Sequence, residues 1–434
     1  MDLARRPATV KILLVTHYFW PEPTPCTFVA EQLEQCGHDV TVITGVPNYP
    51  EGSFPPGYGW FRPRRERYEG IDVVRIPVIP RGKAGAIGIA MNYLSFAVVG
   101  SIIGPLLCRG SVDVVLAWMP SPLTSALPAV VMHWLKRAPL VCWVLDLWPD
   151  SLRAVGMVRS RAAMGAVDRL VRFIYDRCES ILIASWHYRK QLSASGVPPE
   201  RILYLPNLTQ AFYRPIETDV HAGLPTGFRV VYGGNVGKAQ GFASFVELAE
   251  RLRAHADIHL IVVGTGSLWN WVDREVRRRG LENTVHLLGR RPAIDMPGLY
   301  GAADALLITL ADDPSLAATV PGKVQPYLAC ARPIISAAGG ETNAIVEHAR
   351  AGFVCKPGDA QGLAAAILEC RALTRPERQC LGENARAYFL RHFDTPRITA
   401  QLEQWLRDSA GRRVISPPTA PAHIAPEAVE PQLR

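Results

Sequence analysis

The feature that most constrains the fold of this chain is a repeated alternation between short, continuous apolar runs and longer segments with helical periodicity. An apolar run at residues 10–16 is followed by helical spacing over 28–36 and by a second apolar run at 40–44. The same order returns with apolar runs at 113–117 and 140–145. Continuous apolar strands separated by helices are typical of a parallel sheet that is covered on both faces. The first half of the chain is therefore predicted to form a doubly wound α/β domain.

A second series of apolar runs begins after a polar, proline-bearing stretch at residues 204–207. Its predicted strands lie at 228–234, 259–264, 285–289, 305–309 and 333–336. The alternation thus predicts two successive doubly wound halves. We predict an N-terminal domain over 8–205, a C-terminal domain over 206–390, a helix over 391–410 that packs back on the N-terminal domain, and a disordered tail over 411–434.

Composition and charge exclude several classes of protein. Hydrophobic residues make up 48% of the 434 residues and charged residues 20%, so the chain can bury a sizeable core and is not a disordered protein. The net charge of +8 favours a phosphate-bearing partner or an anionic surface. Nine cysteines without a Cys-x-x-Cys pair argue against a disulfide scaffold and a thiolate zinc site. The first apolar run is too short for a signal peptide, and we expect a soluble or peripherally bound intracellular protein with no nucleic-acid partner.

One segment, at residues 84–108, carries no charged side chain and follows a basic stretch. Its length suits a membrane-spanning helix of about 20 apolar residues, although several glycines, Asn92 and Ser95 interrupt it. A spanning helix, a helix lying on the membrane surface and a buried core helix all remain open. The basic stretch predicts either contact with anionic lipid or a solvated loop; it contains Arg62, Arg64, Arg65, Arg67, Arg75, Arg81 and Lys83.

Two polar residues of the first half follow predicted strands. Ligands of open parallel sheets bind at the carboxyl ends of strands, which makes His17 and Asp146 candidate site residues. No Gly-x-Gly-x-x-Gly follows the first strand, and this argues against a nicotinamide dinucleotide site. Asp146, beside Trp148 and Pro149, could bind a sugar hydroxyl or orient a nucleophile.

The second half places glycines and cations after several strands. The stretch 233–242 contains Gly234, Gly237 and Lys238, and Lys323 follows Gly322 before a predicted helix. Glycines let backbone N–H groups approach an anion, and a neighbouring lysine adds the compensating charge. Arg290 follows another strand of the same half. These residues predict a nucleotide diphosphate site on the second half only, with both lysines exposed.

Several motifs of the chain resemble the family 4 (group 1) glycosyltransferases, and they occur in that family's order. They are YFWPE at 18–22, GHDVTVIT at 37–44, PNYPEG at 47–52, DLWPDS at 146–151, GNVGKAQG at 234–241, GTG at 264–266 and LGR at 288–290. The resemblance spans about residues 10 to 408 and is strongest to bacterial enzymes of O-antigen, capsule and colanic-acid assembly, including fucosaminyltransferase-like members.

This resemblance implies a GT-B fold, in which two Rossmann-like domains face each other across a cleft. It implies retaining transfer from a nucleotide-sugar, usually UDP-linked, with no cofactor or metal. The implied acceptor is a sugar on a polyprenyl diphosphate lipid, and the implied location is peripheral, on the cytoplasmic face of the membrane. The residues that it assigns to catalysis are Lys238, Lys323, Asp146 and His17, and those that it assigns to the donor are Gly234, Asn235, Gly237, Gln240, Gly264, Arg290 and Glu341.

The chain departs from the family at a pair of glutamates, which usually lie before and within the helix predicted here at residues 320–333. Pro326 occupies the place of the second glutamate, and Ala318 stands near the first. Two alternatives to a transferase therefore remain: a nucleotide-sugar epimerase on the same fold, and a non-catalytic scaffold of a polysaccharide assembly complex.

Overall fold

The computed structural model describes residues 9–61, 64–82, 85–149, 160–216 and 223–413. The predicted tail therefore lies outside the described residues from position 414 onward, as do Asp150 and Ser151. Two compact units divide the chain. The first contains the residues up to Leu208 and those from Pro396, and the second contains Thr209–Thr395.

The first unit is built on a sheet of eight strands. These are β1 (Lys11–Val15), β2 (Asp39–Gly45), β3 (Arg65–Tyr68), β4 (Ile71–Ile76), β5 (Val114–Met119), β6 (Leu140–Val144), β7 (Ser180–Ile183) and β8 (Ile202–Tyr204). They lie in the order β3-β4-β2-β1-β5-β6-β7-β8, and all adjacent pairs are parallel except β3 with β4. The described helices of this unit before residue 209 are α1 (Pro25–Gln35), α2 (Ala86–Leu107), α3 (Leu127–Lys136), α4 (Arg161–Tyr175) and α5 (His187–Ala194).

The second unit is built on six parallel strands. These are β9 (Phe228–Gly233), β10 (Ile258–Val263), β11 (Val285–Gly289), β12 (Ala305–Thr309), β13 (Ile334–Ala337) and β14 (Gly352–Val354), in the order β11-β10-β9-β12-β13-β14. Its helices are α6 (Phe242–Leu252), α7 (Trp269–Arg278), α8 (Met296–Gly301), α9 (Pro314–Ala317), α10 (Val324–Ala329), α11 (Gly340–His348), α12 (Ala360–Ala372) and α13 (Arg375–His392). A last helix, α14 (Thr395–Ala410), follows.

Both sheets confirm the predicted pair of doubly wound α/β domains. In each sheet the order of strands reverses once, between β1 and β5 in the first unit and between β9 and β12 in the second. Ligands of open α/β sheets bind beside such a switch point, outside the carboxyl ends of the strands. The loops that follow β1 and β9 are therefore the places at which to look for the site.

Helix α1 shows how local chemistry sets the limits of an element. It begins at Pro25, earlier than the predicted start at residue 28, because the Thr24 side chain accepts a hydrogen bond from the Cys26 N–H and proline suits the first helical turn. It ends beside Gly37, whose φ of 87° belongs to the left-handed region that glycine adopts without a side-chain clash.

Helix α14 packs within the first unit although it follows the second unit in sequence. Leu402, Trp405 and Leu406 are buried on its inner side. Glu403 lies 3.4 Å from Nε2 of the buried His38, and Nδ1 of His38 accepts a hydrogen bond from the Val10 N–H. These contacts attach α14 beside β1.

Helix α2 has one buried and one exposed face. Asn92, Phe96 and Ala97 are buried, and this inner face packs against β2, β4 and α3. The opposite face, called here the outer face of α2, is apolar and exposed; its residues are Ile87, Met91, Leu94, Val98, Ile102 and Leu106. Residues 87–107 are long and apolar enough to cross a membrane by length and composition alone. Spanning would require the inner face to leave the sheet.

The prediction of a basic surface before α2 is wrong for one residue, Arg75. Arg75 lies inside β4, is fully buried, and pairs with Glu66. It therefore does not belong to a surface that could meet lipid. Arg64, Arg65 and Arg67 are exposed, whereas Arg62, Lys83 and Ala84 lie outside the described residues.

Candidate functional site

The loop after β9 approaches the loop after β10 too closely for any side chain. Gly234 has a φ of 138° and donates its N–H to the Val263 carbonyl at 2.9 Å. A Cβ on Gly264 would lie 1.8 Å from the Gly234 carbonyl oxygen. Gly264 in turn donates its N–H to the Gly289 carbonyl at 2.8 Å. Three neighbouring strands therefore end in glycines that lie side by side, and the exposed Arg290 follows the third.

The polar residues of the predicted motif fold over Gly237. The Asn235 side-chain amide donates to Oε1 of Gln240 at 3.2 Å, and a Cβ on Gly237 would lie within 2.8 Å of both side chains. The hydroxyl of Thr309, at the end of β12, donates to the Gln240 carbonyl at 2.8 Å. The loop is thereby fixed across the switch point, and Lys238 stands exposed on its single helical turn (Lys238–Gln240).

Lys323 lies against this loop, but it is not exposed as predicted. Its Nζ is buried without a hydrogen-bond partner among the described residues. It lies 3.5 Å from the centre of the Tyr232 ring and 3.3 Å from the position that a Cβ on Gly234 would take. Burial lowers the pKa of this ammonium well below its ordinary value. The loop after β9, residues 233–242, is called here the glycine loop. An anion bound at this loop would favour the charged form of Lys323.

Tyr327 belongs to the same arrangement, and sequence reasoning missed it. It lies one helical turn after Lys323, and its hydroxyl accepts the Gly233 N–H at 2.7 Å. Side chains four residues apart lie on one face of a helix, so this spacing was the available signal. Lys323 and Tyr327 therefore both contact the end of β9, and they hold α10 against it.

Glu341 lies at the start of the helix that follows β13. It lies in the first turn of α11 and is buried. Burial raises the pKa of the Tyr388 phenol, and the charge of Glu341 raises it further. Glu341 therefore lies near α13. Lys323 thus lies beside the loop that carries Asn235 and Gln240, and Glu341 lies within electrostatic reach of Tyr388.

His17 occupies the corresponding position after β1 of the first unit. It is buried between the rings of Tyr18 and Phe96, whose centres lie 4.4 and 4.6 Å from its own. Its Nε2 lies 2.9 Å from Oδ1 of Asn92 on α2. Because the Asn92 amide donates to the Ile79 carbonyl, its oxygen faces His17, and His17 carries its proton on Nε2.

The buried position keeps His17 neutral. Burial lowers its pKa to about 3, an effect that the hydrogen bond to Asn92 opposes and the charge of Arg81 reinforces. Its Nδ1 is buried with no partner among the described residues. In this state, the Nδ1 atom of the neutral imidazole can accept a hydrogen bond from a hydroxyl group.

Asp146 follows β6, two strands away from β1 in the same sheet. Burial raises the pKa of the Tyr175 phenol, and among nearby groups the charge of Asp146 contributes to the rise. Asp146 therefore lies near α4. The indole N–H of Trp148 in the same motif donates to the Ser121 hydroxyl at 3.3 Å.

Within the part of the chain that the structure describes, no group of three or more His, Cys, Asp and Glu side chains is arranged to hold a metal ion. The chemistry that the two loops offer is therefore that of backbone donors, lysine and arginine cations, and a neutral imidazole.

Two family models match the chain. A glycosyl transferase 4-like domain matches residues 27–208, and glycosyl transferases group 1 matches residues 227–372. The putative colanic acid biosynthesis glycosyl transferase WcaI of Escherichia coli K12 is 26% identical over 406 residues, which cover 88% of this chain and 94% of that protein.

The fold is similar to those of two solved structures. Anabaena HepE in complex with UDP and glucose has a TM-score of 0.68 at 18% identity, over 92% of this chain and 99% of that one. Sucrose-phosphate synthase from Thermosynechococcus elongatus has a TM-score of 0.71 at 17% identity, over 93% of this chain and 100% of that one. At these identities the likeness concerns the fold alone.

Proposed function

Because the chain belongs to the group 1 glycosyltransferases, we propose that it is a retaining enzyme that transfers a sugar from a UDP-linked donor to a lipid-linked saccharide. The observation that carries the proposal is the buried ammonium of Lys323 beside the glycine loop of the second unit. A cation held in a poorly hydrated place, beside glycines that let the backbone approach an anion closely, is suited to a diphosphate.

The donor diphosphate would lie at the end of β9. Lys323 and the exposed Lys238 supply charge, and Gly234 and Gly237 allow close approach of the backbone. Arg290 stands at the end of β11, next along the sheet from β10. The choice of UDP draws support from HepE, a structure of similar fold that holds UDP and glucose.

Catalysis in this proposal rests on stabilising the departing diphosphate. In retaining transfer on one face of the sugar, a donor phosphate oxygen takes the proton of the acceptor hydroxyl as the new glycosidic bond forms. No carboxylate base is then required, which suits a chain that has Pro326 in place of the family's second glutamate. Preorganised cations aimed at the developing charge supply the main catalytic effect. His17 would orient a sugar hydroxyl through Nδ1, with Asp146 as a second candidate contact.

The setting that we propose is the assembly of a bacterial surface polysaccharide on a polyprenyl diphosphate carrier. Similarity to WcaI over most of both chains supports this setting. A carrier of this kind is held in a membrane, so the enzyme must work at a lipid surface.

The outer face of α2 is the surface by which the enzyme would attach. It is a continuous apolar stripe, and the neighbouring helix α3 adds the exposed Trp134 and Leu135. Lys136 and Arg65 lie near the end of α2, since their charges lower the pKa of the Cys108 thiol against the opposing effect of burial. An apolar face flanked by cations fits an anionic bilayer. We therefore propose peripheral attachment to the cytoplasmic face of the membrane.

The decisive experiment incubates the purified chain with UDP-, GDP- and dTDP-sugars, with and without lipid-linked acceptors, and determines the products by mass. Transfer from a UDP-sugar that requires the acceptor is the expected result. Conversion of a nucleotide-sugar without acceptor would instead indicate an epimerase. Absence of turnover across the panel, with partner binding retained, would indicate a scaffold.

A further inference from the structure

An arginine of the first unit is surrounded by three tyrosine rings, and no step of the proposed transfer uses this cluster. Its centre is Arg81, in the loop after β4. The guanidinium carbon lies 5.2, 5.1 and 5.3 Å from the ring centres of Tyr18, Tyr49 and Tyr93. Cations within about 6 Å of a ring face are attracted to it, so three rings hold this guanidinium in place.

The loop that carries Arg81 is fixed from two sides. The Arg81 N–H donates to Oδ1 of Asn48, after β2, at 3.2 Å, and a Cβ on Gly88 of α2 would lie 2.4 Å from the Arg81 carbonyl oxygen. The cluster therefore joins residues that follow β1, β2 and β4 with residues of α2. The first three positions are carboxyl ends of neighbouring parallel strands, where ligands of open sheets bind.

The hydrogen-bonding capacity of Arg81 is mostly unused. Within the described residues, its guanidinium donates one hydrogen bond, from Nη2 to the Tyr93 hydroxyl, and it forms no ion pair with a carboxylate. Its Nε is buried without a partner. A guanidinium has five N–H donors in a fork that matches phosphate oxygens. The cluster opens at Tyr49, whose ring is partly exposed.

The neighbouring surface indicates what kind of anion would bind. Asn92 and Tyr93, which face the cluster, lie on α2 between Met91 and Leu94 of its outer face. A cation thus borders an exposed apolar stripe on the same helix. A molecule with a diphosphate joined to a long hydrocarbon chain has this same layout.

We propose that Arg81, caged by Tyr18, Tyr49 and Tyr93, is a subsite for the diphosphate of a polyprenyl-linked acceptor, whose hydrocarbon chain lies toward the outer face of α2. The inference rests on the proposed function for the identity of the acceptor. The inference assigns the two diphosphates of the reaction to different sites. The diphosphate of the donor would bind to the second unit, and the diphosphate of the acceptor would bind to the first unit.

The test measures binding of farnesyl diphosphate, inorganic pyrophosphate, farnesol and UDP to the full chain by calorimetry. Arg81→Gln is expected to weaken farnesyl diphosphate binding at least about tenfold, because a charge-assisted hydrogen-bond partner is lost, and to leave UDP binding unchanged. The affinity of Arg81→Lys for farnesyl diphosphate should fall between those of the unmodified chain and Arg81→Gln, since lysine keeps the charge but not the forked set of donors. Arg109→Gln removes an exposed arginine directly after α2 and is the matched control.

Tyr93→Phe keeps the charge and the ring but removes the hydroxyl that holds Nη2, so it tests the cluster should Arg81→Gln fail to fold. It should weaken farnesyl diphosphate binding while the melting temperature and UDP affinity stay unchanged. Equal binding of farnesyl diphosphate by the unmodified chain, Arg81→Lys and Tyr93→Phe would overturn the subsite. Loss of UDP binding in Arg81→Gln would assign Arg81 to the donor, and binding of pyrophosphate as tight as that of farnesyl diphosphate would overturn the lipid-linked ligand.

Kinetics with a lipid-linked acceptor distinguish this inference from the proposed function. Arg81→Gln should raise KM for that acceptor and leave KM for the donor unchanged. Transfer with an unchanged acceptor KM would refute the subsite while the transferase assignment stands. Arg81-dependent binding of farnesyl diphosphate without any transfer would refute the transferase assignment while the subsite stands.

Discussion

The ammonium nitrogen of Lys323 lies 3.5 Å from the centre of the Tyr232 ring. Because Tyr232 is the penultimate residue of β9, this contact aims the cation at the point where the strand becomes the glycine loop. The ring compensates only part of the hydration that Lys323 loses on burial. An anion at the loop would complete the compensation, as expected if Lys323 binds the donor diphosphate in the way that we propose.

Replacing Lys323 by Ala should lower turnover by roughly 10²–10³-fold, by analogy with the loss of one preorganised donor to a developing negative charge. The free energy of unfolding of a Lys323→Met variant should not fall, since methionine fills the space without a buried charge. Steady-state kinetics and urea unfolding measure the two effects. Lys11→Ala, in the first unit, is the control, because Lys11 lies at the opposite end of β1 and its Nζ donates an exposed hydrogen bond to the Ser111 hydroxyl. Normal turnover and donor affinity in Lys323→Ala would contradict the diphosphate assignment.

Lys238 tests the same assignment from an exposed position. Lys238→Ala should lower turnover by a similar ~10²-fold with no change in melting temperature, because the side chain is exposed and forms no ion pair within the described residues. A fall in melting temperature that accounts for the lost activity would count against a direct role. Thermal unfolding and kinetics on the same preparation separate these outcomes.

Gly264→Ala should displace the glycine loop, although Gly264 itself follows β10. The new methyl would lie 1.8 Å from the Gly234 carbonyl oxygen, at a φ of 145°, so the loop must move and the backbone is strained by about 1–3 kcal/mol. We expect a lower urea midpoint and loss of UDP binding. Gly165→Ala in α4 is the matched control, since its methyl meets no atom within 4 Å and alanine favours helix. A Gly264→Ala variant with full stability and UDP affinity would show that the close approach is not required.

His17 should make the fold sensitive to mild acid. Its pKa is about 3 in the folded chain against 6.5 for the free group, so the unfolded chain binds more protons between these values and stability falls as pH decreases. This group leaves the free energy of unfolding unchanged above about pH 6.5 and lowers it by about 1.4 kcal/mol for each pH unit from there down to about pH 3.

The comparison of the unmodified chain with His17→Gln isolates this contribution, because all other groups titrate in both. The difference between their free energies of unfolding should shrink by about 2 kcal/mol from pH 7 to pH 5. A difference that stays constant over this range would mean that His17 accepts a proton in the folded state.

Peripheral attachment predicts that one charge on the outer face of α2 weakens membrane binding. Ile102→Asp should reduce co-sedimentation with anionic vesicles by roughly tenfold, given 1.5–3 kcal/mol for burying such a side chain. Ile294→Asp is the control, since Ile294 is 62% exposed and Ile102 63%, but Ile294 lies in the second unit. High salt or alkaline carbonate should release the unmodified chain from cell membranes. Extraction by detergent alone would contradict a surface helix.

The buried strands could be predicted from the sequence because their signal is local. Runs such as those of β5 and β10 are apolar at every position, and a parallel sheet covered on both faces requires this. Strand β3 has the polar sequence Arg-Glu-Arg-Tyr and was not predicted. Its place in the sheet comes from antiparallel pairing with β4, a property that hydrophobicity does not encode.

The site was predictable in its residue types but not in their environment. Glycines and lysines after strands indicate an anion site, whereas the burial of Lys323 depends on Tyr232, about ninety residues away in sequence. The protonation of His17 depends on Asn92, which lies in a segment whose composition suggested a membrane helix. The Arg81 cluster was missed because its rings come from three separate segments, and only the fold brings them together.

The place of α14 in the first unit has a consequence for biosynthesis. The buried Leu402, Trp405 and Leu406 are translated after all six strands of the second unit. The ribosome therefore completes the second unit first, and the earlier part of the chain waits for its final helix. A nonsense mutation at Pro396 would leave the later-synthesised domain whole and the amino-terminal one without its last helix, with His38 uncovered.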